Sequence, residues 1–506
     1  MLTVDHLVRK GYLHDHVIPP LNTCSLADHL ADFPTDPGDE FWKTPSRYSR
    51  CAKHSAPKRG HSRRTLAIPN PQHQIPLCLK LVEHWGEIEA FCAKSTISLS
   101  TPEVKEDSER AVGPSSYFRD VSVERILRSA GCRFHLYADF ARYYSSIYTH
   151  SIAWALHGKD AARKDEKTAL LGNHIDLLVR ATQDRQSVGI PVGPDTSLII
   201  AEIIATSIDQ QIQASGITQG LRYVDDFHLY FRSRGACEQA IAALHSACRQ
   251  YELDINDTKT VIEELPDFSE PPWKNVLRAS SLTGKTISTG DLLSYFNAAF
   301  QLSQANPFDG VLKYAVNRST DFTVEDPQLY EALLCRCMIA EPICLPDVFR
   351  ILKKTRFVFL VDRQPLLLTL EELCRYHAPL QHGYEVAWAV WFAVQFGLKL
   401  SDEVASVVSK VEDDSVALVS LHARERMLMN PDPELVWRSW LSKDELNLEH
   451  WLAAYELSVK GWLTPLDGVD FIVAHPFFST LRRHSVSFYE TTTDREDDDV
   501  ELVVDA

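Results

Sequence analysis

The sequence predicts an α+β fold whose second half is entirely helical, and two observations carry that prediction. Over residues 130–265 strand-like and helix-like patterns alternate, and from about residue 285 only amphipathic helices follow. A chain of 506 residues, 45% apolar and 24% charged, has ample material for a buried core and is long enough for several domains. Disordered, collagen-like and disulfide-scaffold classes are excluded for most of it. The longest apolar run, residues 386–394, is too short to span a bilayer, so no membrane segment is expected. The N-terminus lacks the basic and apolar regions of a secretory signal. Eleven cysteines without CxxC pairs fit reduced thiols in cytoplasm rather than disulfides or zinc.

The elements follow in order. Thr65 to Ile68 reads as a short strand, closed by Pro69, Asn70 and Pro71. Residues 77–92 read as a helix and 98–116 as a polar loop. Residues 133–140 (RFHLYADF) form an apolar strand ending at an aspartate. In 165–181, Leu170, Leu171, His174, Ile175, Leu178 and Val179 share a helical face. Residues 197–212 and 236–251 are further helices, and 253–255 a short strand. Residues 221–230 (LRYVDDFHLY) read as a hairpin with an Asp-Asp pair between its strands. Beyond 285, helices are expected near 366–376, 384–398, 402–411, 414–428 and 448–459, together with faces formed by Leu292, Tyr295, Phe296, Ala299 and Phe300 and by Leu329, Tyr330, Leu333, Leu334, Cys337 and Met338. They suggest a stacked helical array, although no clean repeat period is present. The acidic tail 491–506 is expected to be disordered.

The net charge of −17 is unevenly placed. The first 250 residues carry 29 basic against 28 acidic side chains, leaving 23 against 41 for the rest. Residues 41–82 contain no acid but hold Lys43, Arg47, Arg50, Lys53, Lys58, Arg59, Arg63, Arg64 and Lys80. That stretch reads either as a phosphate-binding surface or as a solvated basic loop.

Asp139 at a strand end and Asp225-Asp226 in a hairpin are, taken singly, ordinary cap and turn residues. Brought together by neighbouring strands, three carboxylates repel one another, and the cluster makes sense as a divalent-metal site. Mg²⁺ prefers a few carboxylates together with substrate phosphate oxygens, and two such ions serve phosphoryl transfer.

Four segments resemble the motifs of reverse transcriptases. Residues 139–147 (DFARYYSSI) resemble motif A, and 189–193 (GIPVG) with Ser197 resemble motif B. Residues 223–226 (YVDD) match the motif C hallmark, and 256–260 (NDTKT) after Leu253 resemble motif D. They come in the family's order, with 50 residues from Asp139 to Gly189, 36 to Asp225 and 34 to Lys259. The resemblance implies a right-hand polymerase with fingers and palm. Residues 1–130 would form the N-terminal segment and fingers, 131–275 the palm, and 285–490 a HEAT-like helical domain in the thumb's place. The resemblance further implies that Asp139, Asp225 and Asp226, with the Phe140 carbonyl, bind two Mg²⁺ ions, with Mn²⁺ as a possible substitute. Tyr144 falls at the steric-gate position, which favours deoxynucleotides. Pro191, Gly193 and Ser197 would border the nucleotide, and Val192 and Tyr223 the primer and template. Lys259 would protonate or steady the pyrophosphate leaving group, although a surface lysine on a turn fits equally. Arg63 or Arg64 matches the fingers position that grips the triphosphate.

Two departures narrow the comparison. Val192 stands where retroviral enzymes usually place Gln, and Arg142 where they carry a second motif A acid. Residues 148–159 (YTHSIAWALHGK) resemble the abortive-infection reverse transcriptases of bacteria, a group that includes the AbiK, P2-prophage and type-nine defence enzymes. The motif resemblance covers roughly residues 60–265. It implies a cytoplasmic bacterial antiphage enzyme, a homo-oligomer (trimer or hexamer), that makes single-stranded DNA from dNTPs. Synthesis would be templated by a noncoding RNA or would be untemplated and protein-primed. The alternatives are a retroelement RNA-directed DNA polymerase and an inactive RNA-binding scaffold.

Overall fold

A computed structural model describes residues 1–58, 62–105, 108–280, 286–354 and 363–491. The acidic tail expected to be disordered lies almost wholly outside the described residues. A hairpin, expected to belong to the fingers, pairs β1 (Ala52–Pro57) with β2 (Arg63–Ile68), antiparallel, Ala52 opposite Ile68. A two-residue ladder joins β3 (Pro102–Glu103) to β4 (Gly113–Pro114). The central sheet contains β5 (Phe134–Asp139), β6 (Gly220–Tyr223), β7 (Asp226–Phe231) and β8 (Val261–Glu264), in the order β6-β7-β5-β8 with every pair antiparallel.

Alternation decides the two faces of this sheet. Leu136, Ala138, Phe227 and Leu229 are buried on one face. The helix Arg234–Gln250 packs on β5 and β7 and in turn on the helix Asp195–Ala214, which brings in Ile199, Ile203, Ile204 and Ile208. His135, Tyr137 and Asp139 of β5 and Asp226, His228 and Tyr230 of β7 occupy the other face.

Several elements differ from expectation. Asn70 caps a helix, its Oδ1 accepting from Gln72 N at 3.1 Å, with Pro71 in the first turn; helices therefore run Pro71–Glu83 and Trp85–Cys92. Pro69, Asn70 and Pro71 thus start a helix as well as ending a strand. Ile255 makes only an isolated bridge to Phe140, and the strand is β8, whose exposed pattern carries no alternation to read. The strand β1 and the helix Phe118–Arg128 went unpredicted; both are rich in polar residues.

In the second half, Thr289–Ala305, Val311–Arg318 and Pro327–Ala340 pack on one another, as do Gln364–His377, Gly383–Phe396 and Asp414–Glu425. Gly383–Phe396 is buried along nearly its whole length because it also packs on β1. Among the described residues no helix is long and apolar enough to cross a membrane.

The helical half is bound tightly to the fingers hairpin. Trp451 Nε1 donates to Ile68 O at 3.1 Å, and His54 Nδ1 lies 2.9 Å from Asp413 Oδ2 in the buried joint. Arg63 reaches both carboxylate oxygens of buried Glu385 and donates to Ser55 O at 2.7 Å. Lys53 pairs with Glu449 at 2.8 Å and Arg50 with Asp184 at 2.9 Å. Much of the basic stretch is therefore consumed in structure. Arg63→Met would leave the Glu385 charge buried beside His377 and His382. A loss of about 3 kcal/mol in denaturant unfolding is expected.

Candidate active site

Asp139 is the last residue of β5 and stands opposite Asp226, the first residue of β7. The turn between β6 and β7 is only Val224 and Asp225, and the register sets Tyr223 opposite Asp226. Val224 takes φ 54°, a costly value for a β-branched residue. The neighbourhood holds that turn in place. Ser100 Oγ accepts from Val224 N at 2.9 Å, and Arg222 Nη1 donates to Val224 O at 2.8 Å.

Arg222 is itself completely buried. Its guanidinium meets Glu202 at 2.7 and 2.9 Å and Asp209 at 2.7 and 3.0 Å. Glu202 and Asp209 lie seven residues, two turns, apart on one face of the helix Asp195–Ala214. Sequence reading missed this triad. The signal was present as Glu202 and Asp209, two acids seven residues apart among the isoleucines of one helix, and Arg222 in a short strand. Ser98 Oγ donates to Glu202 at 2.6 Å, tying the 98–100 segment into the same cluster.

The three carboxylates are unequally compensated. Asp139 is buried; Lys259 Nζ bonds its Oδ2, while its Oδ1 has no hydrogen-bond partner. Asp226 Oδ1 accepts from the Tyr137 hydroxyl at 2.5 Å. Burial, then Asp226 and Asp139, push the Asp225 carboxyl up to about 7. Burial opposes the charge on Lys259, but the Asp139 ion pair and the two other carboxylates raise its pKa, so it stays protonated. An orphaned buried carboxylate oxygen beside a carboxyl raised by its neighbours is a donor set short of positive charge. All-oxygen donors of this kind suit a hard divalent cation.

The motif A and motif B segments are zipped together. Ile190 N donates to Tyr144 O at 2.9 Å and Gly189 N to Ile147 O at 2.7 Å. Tyr143 is buried and donates to Ala201 O at 2.6 Å, while Tyr144 remains partly exposed. Burial raises the Tyr144 phenol, as do the charges of Asp225 and Glu202, while Arg110 and Arg64 oppose them. Ala67 N donates to Val192 O at 2.8 Å, which joins the fingers hairpin to motif B. Gly193 is required there: its φ is 139° and a Cβ would stand 3.3 Å from Ala67 O. Pro191 and Ser197 are buried; Val192 and Tyr223 are partly exposed. The bonds Ala141 N to Asp254 O and Asn256 N to Asp139 O, both within 2.8 Å, leave the Phe140 carbonyl outside this short ladder.

Two further findings bear on residues chosen from sequence. Arg63 is committed to Glu385 and Ser55, so of the two arginines only Arg64 presents an exposed side chain. Asp195, unnoticed in the sequence, accepts from Arg110 Nε at 2.8 Å and from Ala111 N and Val112 N at 2.9 and 3.1 Å. Its own amide donates to Gly11 O at 2.8 Å. Motif B is thereby fixed to the N-terminal segment.

Residues 102–283 match the family model described as reverse transcriptase (RNA-dependent DNA polymerase). That segment is a reverse transcriptase domain. It contains Asp139, Gly189, Asp225 and Lys259, whereas the fingers hairpin and the helical half lie outside the match. The chain thus carries the domain of an RNA-directed DNA polymerase. Among curated proteins no match is found. Among solved structures, apo telomerase from Candida Tropicalis is similar at 10% identity and a TM-score of 0.30, covering 76% of this chain and 68% of that one. A likeness that distant carries no functional meaning.

Two outcomes test this geometry. Arg222→Met would strand two buried carboxylates and should cost about 3–5 kcal/mol in chemical denaturation. Between about pH 4 and 7 the native Asp225 carboxyl holds a proton that the unfolded chain has released, so its contribution to stability falls as pH rises through that window. Asp225→Asn should therefore raise the unfolding midpoint of metal-free protein at pH 8, with the gain vanishing near pH 4.

Proposed function

We propose that this chain polymerises deoxynucleoside triphosphates into DNA by two-metal phosphoryl transfer at Asp139, Asp225 and Asp226. The observation that supports this most is the strand register that sets Asp139 against Asp226 beside a turn bearing Asp225. Asp139 and Asp225 would hold two Mg²⁺ ions, or Mn²⁺ in their place, with the Phe140 carbonyl as a further donor. When bound, such ions favour the attacking 3′-oxygen and offset charge on the leaving pyrophosphate. Asp226, oriented by Tyr137, supports the pair. Lys259, held protonated at the site, is suited to give its proton to the pyrophosphate.

Tyr144 lies in the electrostatic reach of Asp225 and would close the space beneath the sugar, where a ribose 2′-hydroxyl would clash. Of Arg63 and Arg64, Arg64 has the exposed side chain and would meet the triphosphate through its planar fork of donors. The Gly193 backbone, with Pro191, Val192 and Ser197 around it, would border the nucleotide and template, and Tyr223 the primer end.

We further propose membership of the defence-associated, abortive-infection group of bacteria. The resemblance of residues 148–159 and a helical half in the place of a thumb support that reading. On it the protein works in the cytoplasm as a trimer or hexamer, the helical half is HEAT-like, and the product is single-stranded DNA.

The test is incorporation of labelled dNTPs by purified protein with Mg²⁺, before and after RNase treatment of the enzyme and protease treatment of the product. Product lost after RNase and complementary to a co-purified RNA means RNA-templated synthesis. Product that persists and shifts in size with protease means protein-primed, untemplated synthesis. No product in any arm leaves the inactive scaffold, and copying of an added generic RNA favours a retroelement polymerase. Asp225→Ala should lower synthesis by about a thousandfold or more while leaving folding intact. Tyr144→Ala should admit ribonucleotides, read by single-nucleotide extension with ATP against dATP; unchanged discrimination would put the gate elsewhere.

A further inference from the structure

His135 lies on the catalytic face of the sheet, four residues before Asp139 and so about 13 Å from it along the strand. Its side chain is 2% exposed, and its Nδ1 has no hydrogen-bond partner although two carboxylates surround it. Asp267 Oδ2 lies 2.8 Å from that nitrogen and Glu263 Oε2 lies 3.6 Å from it. The closer contact lacks the alignment of a hydrogen bond. Glu263 is the register partner of His135 on β8, so both side chains leave the same face of the sheet.

The other ring nitrogen is already engaged. His135 Nε2 and His228 Nδ1 are 3.0 Å apart, and Tyr230 stacks on the His135 ring with centroids 5.2 Å apart. In the tautomer in which His135 Nε2 donates to His228, Nδ1 turns a lone pair towards two anionic oxygens, and a cation between them would relieve the repulsion; in the other tautomer Nδ1 carries a proton towards Asp267. Burial and the charge of Arg125 also hold the imidazole neutral, against the pull of Asp267 and Glu263. Arg125 Nη2 donates to Asp267 Oδ2 at 2.8 Å and offsets only one of the two carboxylates.

We propose that His135 Nδ1, Glu263 and Asp267 form a second metal site, separate from the polymerase carboxylates and selective for a zinc-class divalent cation. The three donor atoms lie within 4.8 Å of one another, the spacing a single ion needs. One imidazole with two carboxylates suits zinc, whereas Asp139, Asp225 and Asp226 offer oxygen only. His228 would act as the outer partner that fixes the ligating tautomer. Such an ion would tie β8 to β5, and β8 begins two residues after Lys259. It would thereby steady the segment that carries the proton donor of the catalytic site.

The test does not rest on the polymerase reading. The full-length Asp225→Ala protein, stripped with chelator, is titrated with Zn²⁺ by calorimetry, and with Co²⁺ read by its visible absorption. Three other histidine–carboxylate groups, at His14/Asp15/His16, His29/Asp32/His484 and His377/His382/Glu385, could also take an ion, so variants decide the matter. Glu263→Gln, at an exposed side chain that does not threaten folding, and His228→Ala are each expected to weaken one Zn²⁺ equivalent by about tenfold or more. They should also abolish the zinc-induced rise in unfolding midpoint. No retained Zn²⁺, or affinity and Co²⁺ spectrum unchanged in both variants, overturns the proposal.

Discussion

The face that carries the three carboxylates depends on the buried cation of Arg222. Arg222 sits between Glu202 and Asp209 and spends one of its remaining donors on the carbonyl of Val224. Without that bond and the matching one from Ser100, nothing in the two-residue turn would favour a valine at φ 54°. Asp225 sits in that turn, so the position of a candidate metal-binding carboxylate is set by a salt-bridge triad beneath it. A buried triad is weak support for stability when compared with an apolar replacement, but removing one member strands the others. Here it converts the rigidity of a 20-residue buried helix into the rigidity of a hairpin tip.

The second constraint is the joint between the fingers hairpin and the helical half. Arg63–Glu385, His54–Asp413 and Trp451–Ile68 tie β1 and β2 down from the far side. Ala67 ties the same hairpin to motif B through Val192. Arg64 is therefore carried on a strand braced from two directions. The acidity of the second half acquires a structural meaning here, since Glu385, Asp413 and Glu449 meet residues of the basic stretch. The same stretch that resembled a phosphate surface is in large part the glue between two halves of the molecule.

The chemistry-bearing residues were legible because local sequence fixes them. Asp139 ends an alternating apolar strand, Asp225 and Asp226 interrupt another, and their spacing to residues 189–193 and 259 follows the order of known motifs. The helical half was legible through its period of apolar faces, since Tyr330, Leu333, Leu334, Cys337 and Met338 are buried and Leu329 is partly buried against the same core. What escaped was carried by partners distant in sequence. Arg222 reads as a polar interruption until Glu202 and Asp209 are placed beside it. Asp195 reads as a helix start until Arg110 and the 111–112 amides meet it. Arg63 and Arg64 are equivalent in sequence, and Glu385, 322 residues beyond the first, helps tell them apart. β8 escaped because an exposed edge strand needs no hydrophobic alternation.

The most direct measurement is labelled deoxynucleotide incorporation by purified protein across a Mg²⁺ titration, with wild type beside Asp139→Asn. The account predicts Mg²⁺-dependent product in the wild type. It predicts a loss of about a thousandfold in the variant, whose circular dichroism spectrum should match that of the wild type. Equal product from a folded Asp139→Asn protein would contradict it, because the chemistry would then be carried by groups other than the three carboxylates.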